Sequence, residues 1–470
     1  MPSTKPQPVD HFTIDERVAK GKAQRKRVPR KSHGEWTPPS DRHPIELLEA
    51  QATSRVADLV PIRYGRMAVS PFTFYRGAAN VMAADLNAEP HSGLDVQLCG
   101  DAHLSNFGGF ASAERSLVFD LNDFDETLPG PFEWDVKRLV ASFEVAARDL
   151  GLEEAARSAL VASTTKTYRD AMRSFAAMTN LDVWYLQLDV DQIVARWGAE
   201  ASNKALKNLQ RTVTKAESKD RLKALAKLTH EVDGELQFIS DPPLIVPVEE
   251  VFSDHAAQEV QTAIHNALRM YRRTLSGDRR RLLETYRFVH LARKVVGVGS
   301  VGMRSWVALL VGRDNTDPLF LQVKEATASV MEPFLKKSAY SNHGQRVVEG
   351  QRLMQASGDI FLGWQRVDGV DGATHDYYMR QLWDWKASAN IEGMTPDLMS
   401  FYGQMCGWTL ARAHAKSGDA IAISEYLGTS ASFDNAMVAF ASAYADQNER
   451  DFAELTAAIA AGRITAQAGI

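Results

Sequence analysis

Residues 294–324 read KVVGVGSVGMRSWVALLVGRDNTDPLFLQVK, and the fold turns on how the glycines in that stretch are taken. Gly297, Gly299 and Gly302 fit the spacing G-x-G-x-x-G, which on its own also marks dinucleotide-binding folds. In those folds the glycines lead into a helix. Here the chain runs apolar through Trp306–Val311 and reads as a strand. A polar turn follows at 312–318, and Leu319–Val323 reads as a third strand ending at Lys324. The segment is therefore strand, glycine loop, strand, turn, strand. The loop backbone at Gly297, Gly299, Ser300 and Gly302 can fold over a chain of phosphates, and Lys324 can reach the same phosphates. Such a lysine needs a carboxylate partner on a helix; Glu349, on a helix expected over 343–356, is the choice, with Glu332 in reserve.

Working outward, Ile360–Val367 and Tyr377–Leu382 read as two more strands around the turn chemistry of 368–372. Residues 291–387 thus form a small antiparallel-sheet unit with one helix. Before it, residues 46–290 read as mainly helical. Val136, Leu139, Val140, Phe143, Ala147 and Leu150 recur at helical spacing, and further helices are expected over 153–178, 203–231 and 255–275. Residues 244–247 read as a loop or extended linker after Asp241-Pro242-Pro243. After the sheet unit, residues 388–470 return to helix, with Phe401–Lys416 the clearest case. Residues 1–45 are polar and basic and read as an arm strapped onto the body. The fold class is α+β.

The strongest chemical signal is GDAHLSN over 100–106, followed by FDLNDFDE over 119–126. Phosphoryl transfer needs a carboxylate to orient and deprotonate the attacking hydroxyl, and oxygen ligands that hold magnesium against nucleotide phosphates. In kinase-type catalytic loops the base Asp and a metal-binding Asn stand five residues apart, as Asp101 and Asn106 do. Asp123-Phe124 fits the second metal ligand, with Asp120 and Asp125 as alternatives. The pattern resembles aminoglycoside-phosphotransferase-like kinases. Gly100, Asp101, His103 and Asn106 match their catalytic loop; Asp123-Phe124, Gly130-Pro131 and Trp134-Asp135-Val136 match their metal loop and the helix after it. Cys99 departs from the histidine usual there. Together with the Ser-Pro-Phe-x-Phe-x-Arg-Gly stretch at 70–77, the chain also looks like an uncharacterised bacterial domain-of-unknown-function family over nearly its whole length.

The resemblance implies a protein-kinase-like two-lobe fold, ATP and Mg²⁺ as cofactors, and transfer of the γ-phosphoryl group to a hydroxyl of an acceptor. Ordinary kinases spell the glycine loop and lysine before the catalytic loop, whereas here Lys324 follows Asp101, so the arrangement implied is circularly permuted. Alternatives on the same scaffold are a nucleotide-binding pseudokinase and a nucleotidyl transferase. A metal-dependent phosphoesterase, suggested by Gly100-Asp101-x-His103, lacks its second histidine motif; Asn342-His343-Gly344 is the nearest approach. His103 reads as a loop brace. Arg63, Arg66 and Arg76 are candidates either for gripping a phosphorylated group or for ion pairs that hold the arm.

Composition bounds the rest. A length of 470 residues, 45% hydrophobic, suffices for well-buried cores without a disulfide or metal scaffold, and the two cysteines, Cys99 and Cys406, supply neither. No apolar run reaches a membrane span or a signal core, so a cytoplasmic location is expected. The net charge of −5 argues against nucleic acid as a partner, although residues 16–32 are strongly basic and read as a solvated tail.

Overall fold

Pro318–Ala326, the strand that ends the quoted stretch, is buried at every position and is a central strand of a six-stranded antiparallel sheet. The computed structural model describes residues 10–199, 203–217, 221–252, 254–295, 297–369, 372–382 and 385–469. Across the sheet the order is Gly363–Asp368, Thr374–Gln381, Pro318–Ala326, Ser305–Val311, Arg287–Lys294 and Ile245–Pro247. Because side chains alternate along a strand, Leu319, Leu321 and Val323 face one way and pack with Tyr271 at the end of the helix Asp254–Arg272. Phe320, Gln322 and Lys324 therefore share the other face. Phe320 packs there with Val307, Leu309 and Phe238. The helix His343–Met354 lies where it was expected, between the third and fourth strands of the unit.

Three expectations about this part need correction. The first strand is Arg287–Lys294, so it begins before Lys294 and takes residues expected to be helical. Ile245–Pro247 is the edge strand of the sheet, paired with Ala292–Lys294, and not a linker. The helix expected over 203–231 ends early, because Thr229–Val232 and Glu235–Phe238 form a hairpin. Its two loop residues, Asp233 and Gly234, both have positive φ (51° and 84°), the conformation that an Asp-Gly pair accepts in a two-residue hairpin.

The helical body is built round Phe132–Asp149, buried along most of its length, and packed by Glu154–Ala176, Pro396–Ser417 and Ser432–Ala460. The arm docks on it as helix Ile14–Arg27, opened by a capping box between Thr13 and Glu16. Its basic residues are not all solvated. Arg25 and Arg30 donate to the carbonyls of Tyr426 and Leu427 at the end of helix Ala420–Leu427, where unpaired carbonyls favour a cation. Arg27 donates to the Ser92 carbonyl at 2.7 Å. Among the described residues no helix is long and apolar enough to cross a membrane.

Candidate functional site

The loop 99–106 is held from below by the helix that follows it. Asp135, in the first turn of Phe132–Asp149, accepts the backbone N–H of Cys99 at 2.8 Å and of Gly100 at 3.0 Å. His414 Nε2 stands 3.3 Å from the same carboxylate, and its Nδ1 meets Tyr168 Oη at 2.8 Å. One helical turn on, Arg138 Nε donates to Asp101 Oδ1 at 2.8 Å, and its guanidinium lies over the Tyr75 ring. Ser142 Oγ accepts the Leu104 N–H at 2.9 Å. Asp135, Arg138 and Ser142 thus form a polar stripe on an otherwise apolar helix face. That spacing is legible in the sequence, although only Asp135 belongs to a motif match there. Gly100 has φ +86°, and a side chain there would run into the Glu126 carbonyl, so the backbone can take this turn only as glycine.

Asp101 keeps part of its carboxylate exposed, and burial of the rest raises its pKa against the opposing pull of Arg138. His103 is held neutral by burial, with Arg76 and Arg138 adding to the effect, and its Nδ1 accepts the Ser105 N–H at 3.2 Å. It braces the loop, as expected. Asn106 donates its amide to the Asp101 carbonyl at 2.7 Å, while its amide oxygen has no partner among the described residues.

The three neighbouring aspartates have separate surroundings. Asp120 is fully buried, bonded by Arg412 at 2.6 and 2.8 Å and by the Ala356 N–H at 2.8 Å. Asp125 pairs with Lys324 and accepts Tyr378 Oη at 2.8 Å. Burial works to raise its pKa, but Lys324 and Tyr378 outweigh that and hold it below the usual carboxylate range. Asp123 is the most exposed of the three, 3.9 Å from Lys324, and burial followed by the charge of Asp125 raises its pKa. Arg346 fixes this turn by donating to the carbonyls of Asp125, Thr127 and Thr327.

Asn106, Asp123, Lys324, Gly297 and Ser300 all line one cleft of about 790 Å³ between the sheet and the helical body. Gln322, two residues before Lys324 on the same strand face, and Arg380, which bonds Gln322 and the Asn122 carbonyl, line it as well. The glycine loop does join two adjacent antiparallel strands, as expected. It is also pinned down: Val298 and Val301 are buried against the helical body, Arg66 donates to the Gly297 carbonyl and Arg55 to the Val301 carbonyl. Gly299 lies beside the Arg76 carbonyl, whereas Gly302 turns away from the cleft onto the Arg55 side chain.

Glu349 is not the partner of Lys324. It pairs with Arg352 one turn along its own helix, at 3.2 Å, while Lys324 is satisfied by Asp125 and Asp123. The face of helix His343–Met354 that turns toward the Asp125 loop carries Arg346, so the ion pair forms with the loop and not with the helix. Glu332, the reserve, accepts the Ser338 N–H at 3.4 Å. Asn342 and the His343 N–H engage Asp376.

Among the described residues no group of three or more His, Cys, Asp or Glu side chains is placed to hold a metal ion. Asn106 and Asp123 would leave the other positions of a hard cation to water and phosphate oxygens, which is how magnesium is commonly bound. No curated protein and no solved structure matches the chain. A family model does match, over residues 55–458, and it takes in the loop 100–106, the three aspartates, the glycine loop and Lys324. The chain belongs to the family described as an uncharacterised protein conserved in bacteria (DUF2252).

Proposed function

We propose that this chain is an ATP- and Mg²⁺-dependent phosphotransferase with a circularly permuted kinase-like fold, in which the cleft between a sheet-bearing lobe and a helical lobe takes the nucleotide. The observation that carries this reading is the meeting of Lys324 with Asp123 and Asp125 across that cleft, at a site that also gathers Asn106 and the glycine loop. A strand-borne lysine, a glycine loop between two strands and an Asp–Asn pair have no common structural purpose; together they suit phosphate chemistry.

Each residue has a role that its surroundings support. Lys324 would exchange its bond to Asp125 for phosphate oxygens. Asn106 and Asp123 would hold Mg²⁺, which neutralises charge on the phosphates when bound. Their fit rests on two absences among the described residues: the Asn106 amide oxygen has no partner, and Asp123 has no hydrogen-bonded cation of its own. Asp101, with one oxygen fixed by Arg138, would accept the acceptor's hydroxyl proton through the other, and the burial that raises its pKa makes it a better base.

Purified protein incubated with γ-labelled and α-labelled ATP and a metabolite extract tests the reading. Transfer of the γ label alone is expected. Transfer of the α label would mean nucleotidyl transfer, and nucleotide binding with no movement of either label would leave a pseudokinase.

A further inference from the structure

Three arginines near the glycine loop were candidates for gripping a phosphoryl group, and the fold separates them. Arg63 is fully buried and donates to the Gln51 side chain at 2.6 Å and the Gly77 carbonyl at 2.9 Å. Arg66 is used on the Gly297 carbonyl. Arg76 lines the same cleft as Asn106, Asp123 and Lys324, yet its guanidinium has no hydrogen bond or ion pair among the described residues. Its Nε is shut off from solvent with no hydrogen-bond partner among the described residues.

Arg76 is nevertheless firmly placed. It lies in the last turn of helix Pro71–Gly77, whose first turn is closed by a Ser70–Thr73 capping box and tied to Asp149 through Ser70 Oγ at 2.6 Å. Phe74 and Tyr75, the two residues before Arg76, are buried. The Arg76 carbonyl would lie 3.2 Å from a Cβ on Gly299, so the glycine loop rests against this turn as closely as a residue with a side chain would permit. The nearby acids that act on its charge are Asp101 and Asp123, and neither bonds it. A guanidinium without a hydrogen-bonded partner among the described residues, in the field of two carboxylates, keeps its fork of donors for anionic oxygens that are still to arrive.

We propose that Arg76 grips the non-bridging oxygens of the transferred phosphoryl group, between the base Asp101 and the metal-binding Asp123; this rests on the phosphotransferase reading above. In that step the acceptor hydroxyl gives its proton to Asp101 and its oxygen forms a bond to the γ-phosphorus. The bond from that phosphorus to the β–γ bridging oxygen breaks, and ADP leaves with the electron pair. Negative charge spread over the three equatorial oxygens meets Lys324 from the sheet and Arg76 from the helical body. Arg76 is a catalytic residue in this scheme because it touches the reacting group itself.

Binding to the full chain is measured with two probes, ADP–Mg²⁺ and ADP–Mg²⁺ with aluminium fluoride, which mimics the planar phosphoryl group. The wild-type protein is expected to bind the second more tightly than the first. Arg76→Ala and Arg76→Gln should bind ADP–Mg²⁺ as the wild type does, and lose the aluminium fluoride advantage by on the order of tenfold or more. Arg76→Lys should keep part of it, and the Gln variant carries the test should the Ala variant not fold. Full retention of the advantage in both the Ala and Gln variants overturns the proposal, as Arg76 would then serve the acceptor or the fold. A wild-type protein that binds ADP–Mg²⁺ but gains nothing from aluminium fluoride also overturns it, with nucleotide binding left standing. A wild-type protein that binds neither probe defeats the phosphotransferase reading itself.

Discussion

The Lys324 ammonium stands 3.9 Å from Asp123 Oδ1 and in direct contact with Asp125, joining the sheet to the turn that follows the loop 99–106. Lys324 is almost wholly buried, and the two carboxylates raise its pKa against the effect of burial, so it stays charged. Removing it leaves two half-buried acids without their cation. Lys324→Met should therefore lower the melting temperature of the free protein and abolish most of the rise that ATP–Mg²⁺ produces in the wild type. Thermal melts with and without nucleotide check both; an undiminished ATP–Mg²⁺ shift in the variant would refute the role given to Lys324.

Asp120 and Asp123 should separate in the same assay. Asp120→Asn weakens a buried pair with Arg412 and should cost stability, about 3–5 kcal/mol if the charge of Arg412 is left uncompensated, with little change in Mg²⁺ dependence. Asp123→Asn removes a carboxylate that burial and Asp125 already strain, so the free protein should be no less stable while Mg²⁺-dependent nucleotide binding falls sharply. Titrating Mg²⁺ against both variants reads the difference. Wild-type Mg²⁺ dependence in Asp123→Asn would move the metal site elsewhere.

Much of this site was legible because its residues lie in short local patterns. The glycine loop between strands, the strand to Lys324 and the five-residue spacing of Asp101 and Asn106 are each set by neighbouring residues. What was not legible depends on parts of the chain far apart in sequence. Lys324 and Asp125 are separated by 199 positions, and the sequence gives no sign of which acid on which element the lysine meets. Glu349 was the natural choice from the chemistry, but the rotation of its helix turns Arg346 inward instead. The Asp233-Gly234 hairpin was a different kind of miss. Its turn signal is present in the sequence, but the lysine-rich stretch before it reads as continuous helix. The basic arm shows a third limit: composition says solvated, whereas the carbonyls at the end of Ala420–Leu427 recruit Arg25 and Arg30.

That arm should be sensitive to acid. His33 is buried between Tyr426 and Phe433, with Nε2 2.7 Å from Tyr426 Oη, and burial, with Lys137 and His91 adding, pushes its pKa down to about 3. Its unfolded value lies near 6.5. A proton therefore binds the released arm more readily than the docked one. The stability that neutral His33 allows is fully present above about pH 6.5 and is lost as pH falls toward 3. Between pH 7 and pH 5, amide protection over residues 14–34, taken relative to the intrinsic exchange rate at each pH, should fall more than protection in helix Phe132–Asp149, and His33→Gln should remove that difference. Equal pH dependence in the variant and the wild type would mean that another group controls the docking.

The sharpest prediction concerns Asp101, because its surroundings separate chemistry from binding. Its Oδ1 is occupied by Arg138, and the loop that carries it is held by Asp135, so Asp101→Asn changes the charge while leaving the loop's main supports in place. Asp101 is absent from the set of residues proposed to hold Mg²⁺ and ATP; turnover should fall by on the order of 10²–10⁴, with the ATP–Mg²⁺ melting shift nearly intact. The wild-type rate should also decline on the acid side at a pH above the ordinary aspartate range, since burial raises the carboxyl's pKa and a protonated base cannot accept the hydroxyl proton. Arg138→Gln gives the complementary result. It frees Oδ1 and removes the cation that opposes the burial effect, so the acid limb should move to higher pH while some activity remains. A pH–rate profile for each protein, with γ-labelled ATP as the reporter, measures all three effects. Full turnover in Asp101→Asn would remove Asp101 from the reaction, and an acid limb that stays put in Arg138→Gln would assign that limb to a different group.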